Sequence, residues 1–324
     1  MPEPATVRAR WAVLSKPPAD GGDYRVLACS AGPAGFREFE GFVRPMMFGT
    51  PLQWSVAGEP GENLPWISYG FSGDGRRSHR WVSIAVTDWS VGGPATWDSA
   101  GRRPVVTRYF DVRFEDLARH RAGLTTLWRA VRPVVLPPGS AAVGEDAAAA
   151  AEEPAAAPEQ VALRFDTEPL PRLAGLLDEE VDFGWAAATA AAALTVPIDL
   201  VARTSRYALT RIETMDAVLA LLPYGYRAQL TAATWAPEPR AAHPRLCYTS
   251  ASGSSARLTV REGTAPKPPS ETARAHLARL LMLRDRVGTL GCLQELASVV
   301  EPASLPFGGG SDGPRARFGR TGEG

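Results

Sequence analysis

Val105-Val-Thr-Arg-Tyr-Phe-Asp-Val112, followed one residue later by the segment 114–131, decides the class of this chain. Its eight residues are dominated by β-branched and aromatic side chains, which suit the pleated, half-buried surface of a strand. The period then changes. Leu117, Leu124, Leu127 and Trp128 fall at intervals that line one face of a helix, with Gly123 as a break. A strand running directly into a helix that can fold back over it predicts a sheet covered on one side. Runs of the same character lie upstream at 10–14, 24–30, 66–71 and 80–87, separated by Gly and Pro clusters. Short, turn-rich connections between strands favour antiparallel pairing over a repeated strand–helix alternation. The expected fold class is α+β, with a mainly antiparallel β first module and its covering helix over 1–135.

Residues 136–165 change composition. They carry Ala, Pro and Glu with few large apolar side chains, and such a segment buries too little surface to offset the entropy of ordering it. Charge follows the same partition: +4 for 1–135, −9 for 136–182 and +5 for 183–324, within a chain of zero net charge. The reading is an acidic Ala/Pro-rich linker between two mildly basic modules, with an Ala-rich helix conceivable near 147–153.

The second module, 166–302, is expected to mix helices and strands. Helical spacing covers 171–177 and 183–194, and a short strand covers 196–202. Thr210-Arg-Ile-Glu213 has the form of a capping box opening a helix that ends at Pro223-Tyr-Gly225. A strand is expected over 227–235, and 245–250 with 256–261 reads as a hairpin. Ser270 is placed to cap a last helix bearing Leu277, Leu280, Leu281 and Val287, with 289–300 continuing it. The Gly- and Arg-rich tail 303–324 is expected to be disordered.

Tests for chemistry mostly fail. A phosphate-binding loop needs a glycine cradle ending in Gly-Lys-Ser/Thr, and the two lysines follow Ser15 and Pro266. That excludes a Walker-type NTPase. Gly70-Phe-Ser72-Gly73 has its second glycine one place too early for a nucleophile elbow. His79, His120, His243 and His276 are scattered. Cys29, Cys247 and Cys292 have no metal-binding or disulfide spacing and read as reduced core residues. Asp88 and Asp98 fit local turn bonds better than acid–base work. No cofactor and no metal are expected. No segment has the length and apolarity of a membrane span and no signal peptide is apparent, so the expected location is cytoplasmic. The candidate recognition patch is Arg76-Arg77-Ser-His-Arg80-Trp81, which pairs forked guanidinium donors with a stacking ring.

Leu221-Leu-Pro-Tyr-Gly-Tyr-Arg-Ala-Gln-Leu-Thr-Ala-Ala-Thr-Trp235, with 210–220 leading into it, resembles the middle domain of the GTPase-associated proteins of bacterial NTP-dependent conflict systems. The first module is similar to those proteins' N-terminal domain through Tyr24-Arg-Val-Leu-Ala-Cys-Ser30 and the strand at Pro65-Trp66. What the resemblance implies is a non-enzymatic adaptor or scaffold acting beside a separate GTPase. Tyr224 and Arg227 join Arg76, Arg77, Arg80 and Trp81 as candidate partner-binding residues, beside a purely architectural role for the first two. A hydrolase using Ser72 or the Asp88 region, and a nucleic-acid-binding accessory protein using 76–81, are the alternatives.

Overall fold

A computed structural model describes residues 5–16, 23–49, 64–72, 81–90, 103–136, 158–165, 169–202, 208–227, 229–237, 244–249 and 256–301. Five long or moderately long strands form the N-terminal part: β1 (Ala5–Ser15), β2 (Arg25–Cys29), β3 (Trp66–Ser72), β4 (Trp81–Trp89) and β5 (Val105–Arg113). Helix α1 (Phe36–Val43) lies between β2 and β3, and α2 (Phe114–His120) and α3 (Leu124–Val131) follow β5. The rest comprises β6 (Val161–Phe165), α4 (Pro169–Glu179), α5 (Phe183–Ala193), β7 (Ile198–Val201), α6 (Ala208–Ala220), α7 (Tyr224–Arg227), β8 (Ala232–Ala233), β9 (Leu246–Tyr248), β10 (Leu258–Arg261) and α8 (Glu271–Ser298). The fold is α+β, as expected.

All ten strands join one mixed sheet in the order β10-β7-β9-β8-β3-β4-β5-β1-β2, with β6 also on β1. Pairing is antiparallel from β8 through β3, β4, β5 and β1 to β2, and parallel among β8, β9, β7 and β10. The seam is the two-residue strand β8. There Thr234 Oγ1 accepts from the Ile67 amide at 2.9 Å and the Thr234 amide donates back to Ile67 O at 2.9 Å.

Strand β1 shows how the residues select their faces. Val7, Ala9, Trp11 and Val13 point into the large core, while Ala12 and Leu14 join a smaller one on the other side. The strand alternates cleanly only at its start, because α1 lays Phe39 and Val43 over Ala12, Leu14 and Tyr109 farther along. The large core takes the opposite face. It is roofed in part by α5, whose Ala-rich sequence is apolar on nearly every side and buried at every position but Gly184, as such a helix must be.

Several expectations need correcting. Strands from 1–135 and from 166–302 share the sheet, and the large core holds residues from Val7 to Ala297. The division at 136–165 therefore does not separate two cores. The last five residues of the expected linker are β6, because Leu163 and Phe165 alternate into the core while Arg164 stays out. The Ala-rich stretch near 147–153 and the tail 303–324 lie outside the described residues. Strands β9 and β10 are not a hairpin: β7 lies between them and pairs in parallel with both. Over 227–235 the expected strand shrinks to β8.

The capping box is absent. Thr210 sits inside α6, where its carbonyl accepts from Thr214 Oγ1 at 3.3 Å, and Glu213 pairs with Arg172 and, at 3.6 Å, Arg129. Ser270 does cap α8, with its Oγ accepting from the Ala273 amide at 3.1 Å. Helix α8 is broken at Gly288, whose φ of 73° is strained for any residue with a side chain. Ser270→Ala is expected to lower the stability measured by urea denaturation by about 0.5–2 kcal/mol, the range for losing an N-cap oxygen. An unchanged midpoint would remove that cap from the account.

Candidate functional site

Strand register assembles a cluster that the linear sequence scatters. Trp81 opens β4 and lies opposite Arg113 at the end of β5. Two residues on, Ser83 faces Asp111, which in turn faces Arg10 of β1. Directly opposed residues in antiparallel strands project to the same side of the sheet. Trp81, Arg113, Arg10, Asp111, Ser83 and Tyr109 therefore share the face on which α1 packs.

Arg10 is the centre of this group. Its guanidinium carbon stands 4.0 Å from the centroid of the Trp81 ring and 5.7 Å from those of Phe39 and Phe42. Its Nη2 donates to Asp111 Oδ2, and Nη1 lies 3.8 Å from Glu38 Oε1 on α1. Asp111 is wholly buried and accepts at its other oxygen from Ser83 Oγ at 3.0 Å. Ser83 Oγ and the Tyr109 hydroxyl are 2.7 Å apart. This buried set anchors Arg10 against the indole. Arg113 approaches the same ring from the exposed side, at 5.6 Å.

Chemically, the arrangement offers a half-buried indole between two cations, one pinned and one exposed. Guanidinium groups stacked on an aromatic ring keep their edge donors free in direction to meet a carboxylate or phosphate. Ser83 and Asp111 are out of reach of any substrate, so the hydroxyl–carboxylate pair is scaffolding.

Of the candidate partner-binding residues, Trp81 lies in this cluster, and Arg76, Arg77 and Arg80 lie outside the described residues. Tyr224 and Arg227 are corrected: both are interior. The Tyr224 hydroxyl donates to Ala122 O at 2.7 Å, and Arg227 Nη2 donates to Ala220 O at 3.0 Å while its guanidinium stacks on the Tyr224 ring at 4.8 Å. Burial lowers the pKa of Arg227, offset in part by neighbouring Tyr224, Asp216 and Tyr69, and burial raises that of Tyr69. These residues tie α7 to the preceding helix and to the 121–123 turn, and they present nothing to a partner.

Ser72 ends β3 opposite Trp81, and its side chain lies outside the described residues. Asp88 accepts from the Trp89 amide at 2.7 Å, the local backbone bond expected of it, while Asp98 is outside the described residues. The three cysteines are free and buried. Burial pushes the Cys247 thiol up to about 12 and the Cys292 thiol up to about 11, so both stay protonated and are poor nucleophiles. His276 Nε2 donates to Leu221 O at 3.1 Å, and burial lowers the pKa of its ring. Among the described residues no group of three His, Cys, Asp or Glu side chains is placed to hold a metal, and no helix is long and apolar enough to cross a membrane.

Compared with models of known protein families and with curated proteins, the sequence gives no match. The resemblance at 221–235 therefore stands on those residues alone.

Proposed function

We propose that the protein is a non-enzymatic adaptor or scaffold whose Trp81 face docks on a separate protein, and the resemblance at 221–235 suggests a GTPase of a bacterial conflict system as that partner. The observation that carries the reading is the half-buried Trp81 ring held against Arg10 at 4.0 Å with exposed Arg113 beside it. Trp and Arg dominate the energetics of protein interfaces, and a side chain locked before docking loses less entropy on association. The Arg10–Asp111 pair supplies that locking. Arg76, Arg77 and Arg80 lead directly into Trp81 in sequence and carry the same chemistry. The placement of Lys16 and Lys267, away from any glycine cradle, supports a protein that leaves nucleotide to its partner.

The test is affinity capture from the native host with identification of bound proteins, using wild type and the variants Arg113→Ala and Arg77→Ala. Recovery of a GTPase is expected, reduced roughly tenfold or more by each substitution, the effect of losing an interface anchor. Micromolar binding of GTP or ATP by the isolated chain, measured by calorimetry, would overturn the adaptor reading. Enrichment of RNA or DNA without a protein partner would replace it with the nucleic-acid alternative.

A further inference from the structure

Helix α8 carries two apolar faces before its break at Gly288. One face, with Ala273, Leu280 and Leu283, is buried in the large core region against α4, α5 and α6. The other holds Ala275, Ala278, Leu281 and Met282 and is exposed, with Leu281 at 41% and Met282 at 64%. Ordinary surface helices have a single apolar stripe. A second stripe, spaced three and four residues apart, is the pattern of a helix that also pairs outward.

The charges on this outward line specify what it pairs with. Reading along Arg274, Ala278, Leu281 and Asp285 gives spacings of four, three and four, the alternation of a coiled-coil seam. The line begins with a cation, Arg274, which pairs with Glu271 one turn earlier at the exposed start of the helix, and ends with an anion. Laid antiparallel against a duplicate of itself, Ala278 falls opposite Leu281 of the second copy, and Arg274 falls opposite Asp285 of the second copy. Each contact occurs twice by symmetry. Ala275 and Met282 flank the seam on one side and approach each other two residues off that register, small against large. A parallel duplicate would instead set Arg274 against Arg274 and Asp285 against Asp285, which costs rather than contributes. Gly288 adds nothing to obstruct the approach, having open space where a Cβ would be.

We infer that the protein self-associates as a two-fold dimer through an antiparallel pairing of residues 274–285 of α8. The interface excludes the Trp81 face, so the dimer would present two such faces to partners, and its success or failure is independent of the adaptor proposal. The seam is about three turns long, well under the roughly 800 Å² per partner of a stable interface, so the association is reversible and weak.

Sedimentation velocity on the full chain tests this, with circular dichroism confirming that each variant is folded. Wild type should shift from monomer toward dimer as concentration rises to roughly 100 μM, the range of a small interface. Leu281→Glu should remove the shift. Arg274→Asp should weaken it roughly tenfold by facing Asp285 of the second copy with an acid, the cost of like charges at close quarters. The double variant Arg274→Asp with Asp285→Arg should restore it, which a merely structural effect of either substitution would not do. A monomer at every concentration, or a dimer indifferent to Leu281→Glu and to the charge exchange, would overturn the inference. So would a monomeric wild type whose capture of another protein is abolished by Leu281→Glu, since the face would then belong to that protein.

Discussion

Asp216→Ala is expected to lower the unfolding free energy by about 3–5 kcal/mol, since it strands two buried amides at a cost of roughly 1–3 kcal/mol each. Asp216 is 1% exposed on α6, yet its carboxylate serves a different helix: Oδ1 accepts from the Leu124 amide and Oδ2 from the Thr125 amide, both at 2.9 Å. It is an N-cap for α3 supplied from 92 residues away. Gly123, the residue at the cap position, makes room for it, because a Cβ there would come within 2.4 Å of Oδ1. Losing the carboxylate strands two buried amides and deprives buried Arg227 of a nearby anion, while Arg227 Nε and Nη1 already lack hydrogen-bond partners. Against this stands the relief of desolvating one carboxylate, which is smaller once the charge sits among donors. Asp216→Asn keeps one acceptor, now neutral, and turns an NH2 donor toward the other amide, so it should recover only a minor part of that loss. Urea denaturation decides: a loss under about 1 kcal/mol for the alanine variant would mean that water replaces the cap.

The local elements were legible because their cause is local. Five N-terminal strands announce themselves by β-branched and aromatic runs, and the helix break near Gly123 by glycine itself, with Arg121 closing α2 at a φ of 50°. The antiparallel sense of the first half was legible in its turn-rich connections, but strand order and the parallel half were not, because they depend on partners far away in the chain. Two neighbouring strands with a turn-like connection at 251–255 look like a hairpin, but β7, earlier in the chain, inserts between them. Thr210-Arg-Ile-Glu213 has capping-box letters inside an established helix, where Glu213 finds Arg172 instead. The union of both halves in one sheet rests on two residues of β8, too short to leave a periodic trace.

The candidate site was half legible for the same reason. Trp81 stands out beside three arginines in sequence, whereas Arg10 and Arg113 become its neighbours only through strand register, 71 and 32 positions away. Tyr224 and Arg227 carry the residue types of a hot spot, and burial makes them architecture. An aromatic and an arginine three residues apart look alike in sequence whether they face a partner or the core. What separates the two is whether the carbonyls they meet, here those of Ala122 and Ala220, belong to the same chain.

Arg257→Met should cost a further loss of the same size, about 3–5 kcal/mol, by removing the cation from the buried Asp199 carboxylate in the parallel half of the sheet. The two side chains are 0% and 2% exposed. Arg257 Nε donates to Asp199 Oδ1 at 2.6 Å, Nη1 to Pro244 O at 2.8 Å, and Nη2 to Ile198 O at 3.1 Å and to Cys247 Sγ at 3.3 Å. One guanidinium thus clamps β10 to β7 and to the entry of β9, across the strands whose order the sequence does not announce. A buried ion pair need not stabilise relative to an apolar pair of the same size, so single and double variants answer different questions. If the pair serves mainly to enforce the β10-β7-β9 order, Arg257→Met with Asp199→Leu should recover most of the stability lost by Arg257→Met, while broader amide resonances and faster exchange at Leu258–Arg261 report a loosened edge. If the clamp itself stabilises, the double variant stays as weak as the single one. Denaturant midpoints of the three proteins separate these outcomes, and a single variant within about 1 kcal/mol of wild type would show that Asp199 is not left stranded.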